Sequence, residues 1–440
     1  MTQAVVLVPG IMGSELKKGG EVIWPGNPLE LWFPYSHMDE LLDPATEVGD
    51  IIRSVSISEQ YGALVDSLGS WGYVENGERP TLVVFPYDWR KDNQLAARKL
   101  ADEIDTLAGK LGADTDISIV AHSMGGLISR CYLESGDYHA RPGLASVKRL
   151  ITLATPHRGA PMALSAALGN ERRVFLNAQQ VKDLASDPNF PSLYQLLPHK
   201  GEPCVWDRSD GSRYAPLDIY DAHIAKSLDL VSENLASAVK FHNTLDLKRR
   251  PSHVRYFFFV GCHETTTSSV KARLDATNLS QRIAKVDRED AGDGTVPIWS
   301  AMLTGIQSEQ VGGVHGDIYK NQTLLDVLGT LLGGPTNLAA RSTKPELWVR
   351  HKVFDLDKDI ELTLELPSGT IAIDGELRVM RHAKDAIVLV RTMPVHYSGP
   401  AIDHLALLLP ALDLPGAYQI LYVANRQADG VSTEFFVQPG

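Results

Sequence analysis

The stretch that most constrains this 440-residue chain is residues 117–130, ISIVAHSMGGLISR. A continuous apolar run reaches a tight turn that carries Ser123 between His122 and Met124, and the residues beyond have helical spacing. A strand, a sharp turn and a helix in that order hold a serine exposed at the apex, and so tight a turn tolerates only very small neighbours. Here they are Ala121, the next smallest side chain after glycine, and Gly125 followed by Gly126. An A-x-S-x-G pattern is weak alone, because its residues are common. Its weight depends on its place at the end of a buried strand, and on whether the chain supplies a base and an acid to serve the serine.

The surrounding pattern alternates strands and helices. Residues 4–8 are a short apolar run closed by Pro9-Gly10, as in a strand buried on both faces of a parallel sheet. Residues 24–55 are rich in Trp and Pro without a sustained period, which fits a lid or substrate rim with exposed aromatics. Residues 58–70 read as a helix with Tyr61, Leu64, Val65 and Leu68 on one face. A second strand at 81–85 leads into Pro86-Tyr87-Asp88-Trp89-Arg90. Leu95, Leu100, Ile104, Leu107 and Leu111 then recur at helical spacing before the elbow strand. Strand, helix, strand implies a parallel sheet.

Residues 147–153 give the next strand. From 159 to 252 the periodicity breaks into scattered helical segments such as 192–197 and 222–241, an insertion long enough to form a cap over a site. VRYFFFV at 254–260 returns to the sheet, 287–297 is a polar glycine-bearing loop, and 322–332 is a closing helix ended by Gly333-Gly334-Pro335. Beyond about residue 347 the period becomes two. Short strands at 361–366, 371–379, 386–390, 405–409, 418–423 and 433–437, with turns at 367–369 and 428–430, fit a small β-sandwich. The expected organisation is an α/β-hydrolase fold with a mostly parallel sheet over 1–340, a cap or lid at about 160–252, and a C-terminal all-β domain over 347–440.

In that fold a serine nucleophile is followed in the chain by an acid and then a histidine. The acids after the 254–260 strand are Asp287, Glu289, Asp290 and Asp293. Asp293 is preferred because Gly292 and Gly294 flank it and free the backbone to aim a carboxylate. Asp290 is the reserve, and turn formation is the commoner role for aspartates in such loops. His315 follows within VGGVHGDIY, whereas His351, His382, His396 and His404 fall in or beside the β-rich tail. In this arrangement His315 takes the Ser123 proton and later protonates the leaving alcohol, while Asp293 fixes the imidazole. The loop after the first strand, PGIMGSEL, and the start of the helix after the serine would present the Ile11 and Met124 N–H groups to an oxyanion. The spacing of the acids and His315 matches no zinc or calcium pattern, and neither metal nor cofactor is expected.

A net charge of −12, with no basic cluster longer than Lys248-Arg249-Arg250, argues against a nucleic-acid partner. Three cysteines, Cys131, Cys204 and Cys262, suggest no disulfide framework and fit a reducing compartment. With no secretory signal or transmembrane stretch in the sequence, the expected location is cytoplasmic, although specialised export leaves no such signal.

VPGIMGS at 8–14, FPYDWR at 85–90, AHSMGG at 121–126, TPHRGAP at 155–161, PSLYQLLP at 191–198, GDGTVP at 292–297 and the His315-Gly316 pair together resemble the lecithin:cholesterol acyltransferase family of α/β-hydrolases. The resemblance runs through roughly residues 4–332. It implies a nucleophile, acid and base at Ser123, Asp293 and His315, oxyanion donors at Ile11 and Met124, and a serine esterase, lipase or O-acyltransferase acting on acyl esters of lipids, with transient contact to a lipid surface. Two features depart from the family or lie outside it. No cysteine precedes Cys131, so the early lid lacks the disulfide of relatives that work outside the cytosol, and the β-rich tail has no counterpart. Asp88 and Arg90 read as a buried ion pair supporting the sheet end, with orientation of substrate as the alternative. Two other functions stay open at this point: a non-catalytic binding or scaffold protein that retains the fold, and an exported phospholipase effector.

Overall fold

The computed structural model describes residues 2–26, 35–55, 58–59, 61–112, 114–173, 175–209, 215–275, 283–334, 345–349, 353–383, 386–425 and 430–438. The chain divides into two compact units, Met1–Arg53 with Gln60–Pro335, and Ser54–Glu59 with Thr336–Gly440.

The first unit is built on a six-stranded sheet of β1 (Thr2–Val8), β2 (Leu82–Val84), β3 (Thr115–His122), β4 (Val147–Leu153), β5 (Arg255–Cys262) and β6 (Gln307–Gly312). Their order is β6-β5-β4-β3-β1-β2, and every pairing is parallel. The inner strands are continuous apolar runs because they are covered on both faces. Ala4–Val8 and Ile119–Ala121 are fully buried. From β1 the chain moves outward to β2, and from β3 it moves the other way to β4. The strand order therefore reverses between β1 and β3, and in open α/β sheets the crevice beyond the carboxyl ends at such a reversal is where ligands bind. This is the sheet of an α/β-hydrolase.

Helix α1 (Gly62–Ser70) buries Leu64, Val65 and Leu68 against the core. The segment before it is not helical, since Ser58–Glu59 pairs as a short strand with Ser54–Val55. Helix α2 (Asn93–Leu111) connects β2 to β3 and begins where the Asp92 side chain accepts the Gln94 N–H. Leu100, Ile104, Leu107 and Leu111 are buried as their spacing requires, but Leu95 lies on the outer face of the first turn and is 46% exposed. Helix α3 (Met124–Glu134) follows the elbow and is buried along its whole length. Helix α4 (Gln322–Leu331) ends the unit.

Sequence periodicity did not indicate β6, whose residues QSEQVG are polar because an edge strand keeps one side in water. The insertion after β4 contains helices Pro161–Ala167, Ala178–Ser186, Ala222–Ser227 and Ser232–His242. The helix expected over 222–241 is broken at Asp229, whose φ is +59°. The insertion also contains strands. Val205–Asp207 and Pro216–Leu217 join Glu264–Ala272 and Ile283–Gly292 in a separate four-stranded sheet. Much of the loop expected at 287–297 is therefore a strand to Gly292, and the remaining turn begins at Asp293.

The early lid segment contributes a three-stranded sheet of Ser14–Lys18, Glu21–Trp24 and Glu47–Ile51. Its aromatics were expected to be exposed, but Trp24 and Tyr35 are buried. Trp24 packs edge-on against Tyr35, Trp89 and Phe175, with ring centroids 5.9, 5.2 and 5.9 Å away. Trp32 and Phe33 of the same expected lid lie outside the described residues.

The second unit is strand-rich. Six strands, Glu346–Val349, Val353–Asp355, β7 (Ile360–Ala383), β8 (Ala386–Leu409), Gly416–Ala424 and Val431–Gln438, are joined by hydrogen bonds into one sheet. The turn expected at 367–369 is an irregularity in the β7–β8 ladder between Glu365 and Thr370, where Gly369 takes a φ of +86°. What reads in the sequence as four short strands is thus one 24-residue pair. Residues 428–429 of the second expected turn lie outside the described residues. Ile360, Leu362, Leu364, Leu377, Val379, Ile420, Phe435 and Val437 form this unit's core.

Candidate active site

Strand β3 ends at His122 and helix α3 begins at Met124, so Ser123 alone makes the turn, with φ 52° and ψ −124°. A non-glycine residue in this region is strained, and such strain collects at functional sites. The Ser123 N–H donates to the Leu153 carbonyl (2.9 Å) and the Gly126 N–H to the Ser123 carbonyl (3.0 Å), which pin the turn from both sides. The residue after Met124 has no room for a side chain. A Cβ on Gly125 would lie 2.4 Å from the Pro9 carbonyl oxygen and 2.5 Å from that of Val8. Ala121 stands fully buried in β3 between Val8 and Thr152 of its neighbours, and the methyl is accommodated there.

His315 opens a short 3-10 turn, His315–Lys320, and reaches the serine across 192 positions of sequence. Its Nε2 is 2.9 Å from Ser123 Oγ, and its Nδ1 is 2.8 Å from Asp293 Oδ2. The His315 N–H also donates to the Asp293 carbonyl (2.8 Å). Asp293 is 1% exposed, and its Oδ1 accepts the Thr295 and Val296 N–H groups at 3.0 and 2.7 Å. Both oxygens are therefore satisfied and aimed. Ser123 is 5% exposed. The structure thus brings Ser123, His315 and Asp293 into one hydrogen-bonded line. Asp290 lies on the Ile283–Gly292 strand opposite Thr265, and its side chain is outside those described.

The loop after β1 runs beside the serine. A Cβ on Gly10 would be 2.9 Å from Ser123 Cβ, and Ile11 follows at once. Met124 is the first residue of α3, where amides have no carbonyl partner four residues back within the helix. Ile11 thus adjoins a residue packed against the serine, and Met124 follows the serine directly. Among the described residues no group of three or more His, Cys, Asp or Glu side chains is placed to hold a metal ion.

Two buried ion pairs lie in the same unit. Arg90 grips Asp88 with two parallel bonds, Nε to Oδ1 at 2.9 Å and Nη2 to Oδ2 at 2.8 Å, and donates from Nη1 to the Leu41 and Asp43 carbonyls of the lid segment. Its guanidinium lies 4.5 Å above the Phe190 ring. Burial pushes the Asp88 carboxyl up, but the guanidinium beside it prevails and holds it below the usual range. In the elbow helix, Arg130 pairs with Glu134 at 2.9 and 2.8 Å and donates to the His157 carbonyl at 3.3 Å. Sequence reading gave no role to Tyr61 beyond one face of a helix, nor to His122 beyond its place before the serine. Both are buried in the site, Tyr61 Oη lying 2.7 Å from His122 Nδ1.

The model of the lecithin:cholesterol acyltransferase family matches residues 50–256. Over those residues the chain is similar to the lecithin:cholesterol acyltransferase family. Lecithin-cholesterol acyltransferase-like 4 of Arabidopsis thaliana is 27% identical over 332 residues, 64% of this chain and 58% of that protein. The chain therefore spans less than two thirds of that relative. Phospholipase A(1) LCAT3 of the same organism is 23% identical over 369 residues, 72% of this chain and 78% of that protein. Among solved structures, phospholipase PlaB from Legionella pneumophila in complex with thio-NAD aligns with 99% of this chain and 89% of its own, at 12% identity and a TM-score of 0.25, a likeness too slight to carry an argument. The match to the family model ends before Asp293 and His315.

Proposed function

We propose that this chain is a serine esterase, a lipase or O-acyltransferase that cleaves acyl esters of lipids through an acyl-enzyme on Ser123. The observation that carries this reading is the unbroken line from Ser123 Oγ to His315 Nε2 (2.9 Å) and from His315 Nδ1 to Asp293 Oδ2 (2.8 Å), at the carboxyl ends of the strands where the sheet order reverses. His315 removes the hydroxyl proton as Ser123 attacks the ester carbonyl, and Asp293 holds the imidazole with Nδ1 protonated and stabilises the imidazolium. The Ile11 and Met124 amides receive the oxyanion. The imidazolium then protonates the leaving alcohol, and the acyl group stays on Ser123 until water or a second alcohol takes it. The names of the two relatives, one an acyltransferase-like protein and one a phospholipase A(1), favour a lipid acyl donor. In this reading residues 1–340 are the catalytic domain, with a cap at about 160–252, and 347–440 are a separate β domain.

Turnover of a chain-length series of acyl esters and of phospholipid vesicles, compared between the wild type and Ser123→Ala, tests the reading. The variant should lose on the order of 10⁶-fold in kcat while keeping its melting temperature. Equal turnover by the two proteins would refute it. A new ester formed on adding a long-chain alcohol would assign acyl transfer, and free acid alone would assign hydrolysis.

A further inference from the structure

A second set of hydrogen bonds reaches His315 through its main chain. The Gly10 N–H donates to Tyr61 Oη at 2.7 Å, Tyr61 Oη lies 2.7 Å from His122 Nδ1, and His122 Nε2 lies 3.0 Å from the His315 carbonyl oxygen. The proton positions follow from what each atom can do. A carbonyl only accepts, so the proton sits on His122 Nε2. Nδ1 of the neutral ring is then an acceptor, Tyr61 donates its O–H to it, and the phenol oxygen receives Gly10. Each link has one consistent assignment. Tyr61 is 3% exposed and His122 5%, so no bulk water competes for these bonds. Burial, assisted by the nearby His315, lowers His122 to about 3 and keeps it neutral. That neutrality matters, because the two imidazole centroids are 5.0 Å apart and a charged His122 would oppose a charge on His315.

The chain of bonds joins three parts of the site. Gly10 directly precedes Ile11, His122 directly precedes Ser123, and His315 is the end of the line. The N–H of His315 is already held by the Asp293 carbonyl, so the bond from His122 fixes the peptide group on its other side. Tyr61 also stacks on Tyr319 of the same 3-10 turn, with centroids 5.3 Å apart. We infer that Tyr61 and His122 are positioning residues that set the backbone of His315, and with it the ring between Ser123 and Asp293, in register with the loop that carries Ile11. This inference rests on the esterase reading above.

The test compares Tyr61→Phe, His122→Leu and His122→Gln, the last of which keeps an N–H donor for the His315 carbonyl. Labelling by a fluorophosphonate, steady-state ester hydrolysis and melting temperature are measured for each and for the wild type. Tyr61→Phe and His122→Leu should lower kcat on the order of 10- to 100-fold, with KM within about twofold, and label more slowly at Ser123. His122→Gln should recover most of the His122→Leu loss. Tyr61→Phe retains the ring stacking, so it remains informative even where His122→Leu folds poorly. Two results overturn the inference: kcat within about twofold of wild type in Tyr61→Phe and His122→Leu, or losses that follow melting temperature alone with no recovery in His122→Gln. A wild type that takes no label at Ser123 overturns the esterase reading and this inference with it, whereas a labelled wild type with indifferent variants removes the inference alone.

Discussion

Ser123 holds a backbone conformation that L-residues avoid, and its surroundings fix it there through the Leu153 and Gly126 bonds and the packing of Gly125 on β1. In the proposed mechanism, what that geometry offers chemistry depends on Asp293 keeping the His315 proton on Nδ1. Asp293→Asn leaves the shape almost unchanged but presents an amide that can supply its own N–H to Nδ1. The account predicts a fall in kcat on the order of 10⁴-fold, little change in KM and near-normal melting, read from steady-state kinetics and thermal unfolding. Exchanging Asp290 for Asn should leave kcat within about twofold, and a larger loss there than at Asp293 would show that the acid is misassigned. Ser123, Asp293 and His315, the proposed triad that the structure joins by hydrogen bonds, could be singled out in sequence because each sits in a short glycine-bearing motif and the three keep the chain order that the fold requires. Tyr61 and His122 were not. Their bond spans 61 positions, and Tyr61 looks from its spacing like one more residue of a helix's apolar face.

At the scale of elements, Arg90 ties the turn after β2 to the 35–55 segment through Leu41 and Asp43, and to the insertion after β4 through Phe190. Arg90→Leu would leave the Asp88 carboxylate buried with its bidentate partner gone. Global stability should fall by about 3–5 kcal/mol, whereas replacing both Asp88 and Arg90 by apolar residues should cost less. Chemical denaturation of the two variants checks this, and a single variant no worse than the double would contradict it. The buried strands were readable because a strand covered on both faces is a continuous apolar run. Polar strands such as β6 and Ile283–Gly292 were missed, since both are sheet edges, where one side permits side chains that also suit loops. The β7–β8 pair was read as four short strands because Pro367 and Gly369 signal a turn, and the structure resolves that signal as an irregularity within a continuous ladder.

For the whole molecule, His122, His157 and His242 are buried and His199 is half-buried, and desolvation favours the neutral form of each. Burial lowers His122 to about 3, His199 to about 2 and His242 to about 4, and takes His157 well below its ordinary value. The unfolded chain protonates these rings as pH falls through about 6.5, while the folded protein does not. The stability they confer is complete above about 6.5 and is lost progressively from there down towards 4 and below, with a limiting slope on the order of 1.4 kcal/mol per pH unit for each ring. Melting temperature should therefore drop steeply between pH 6.5 and 4.5, and His242→Gln should flatten the drop. A melting temperature constant over that range would contradict the burial of these rings. The central claim, that Ser123 carries the acyl group, is tested most directly by intact-mass and peptide analysis of the protein quenched during turnover of a p-nitrophenyl ester. The account predicts one acyl adduct per chain on the peptide containing Ser123, and none in Ser123→Ala. Turnover without any adduct, or an adduct on another residue, would contradict it.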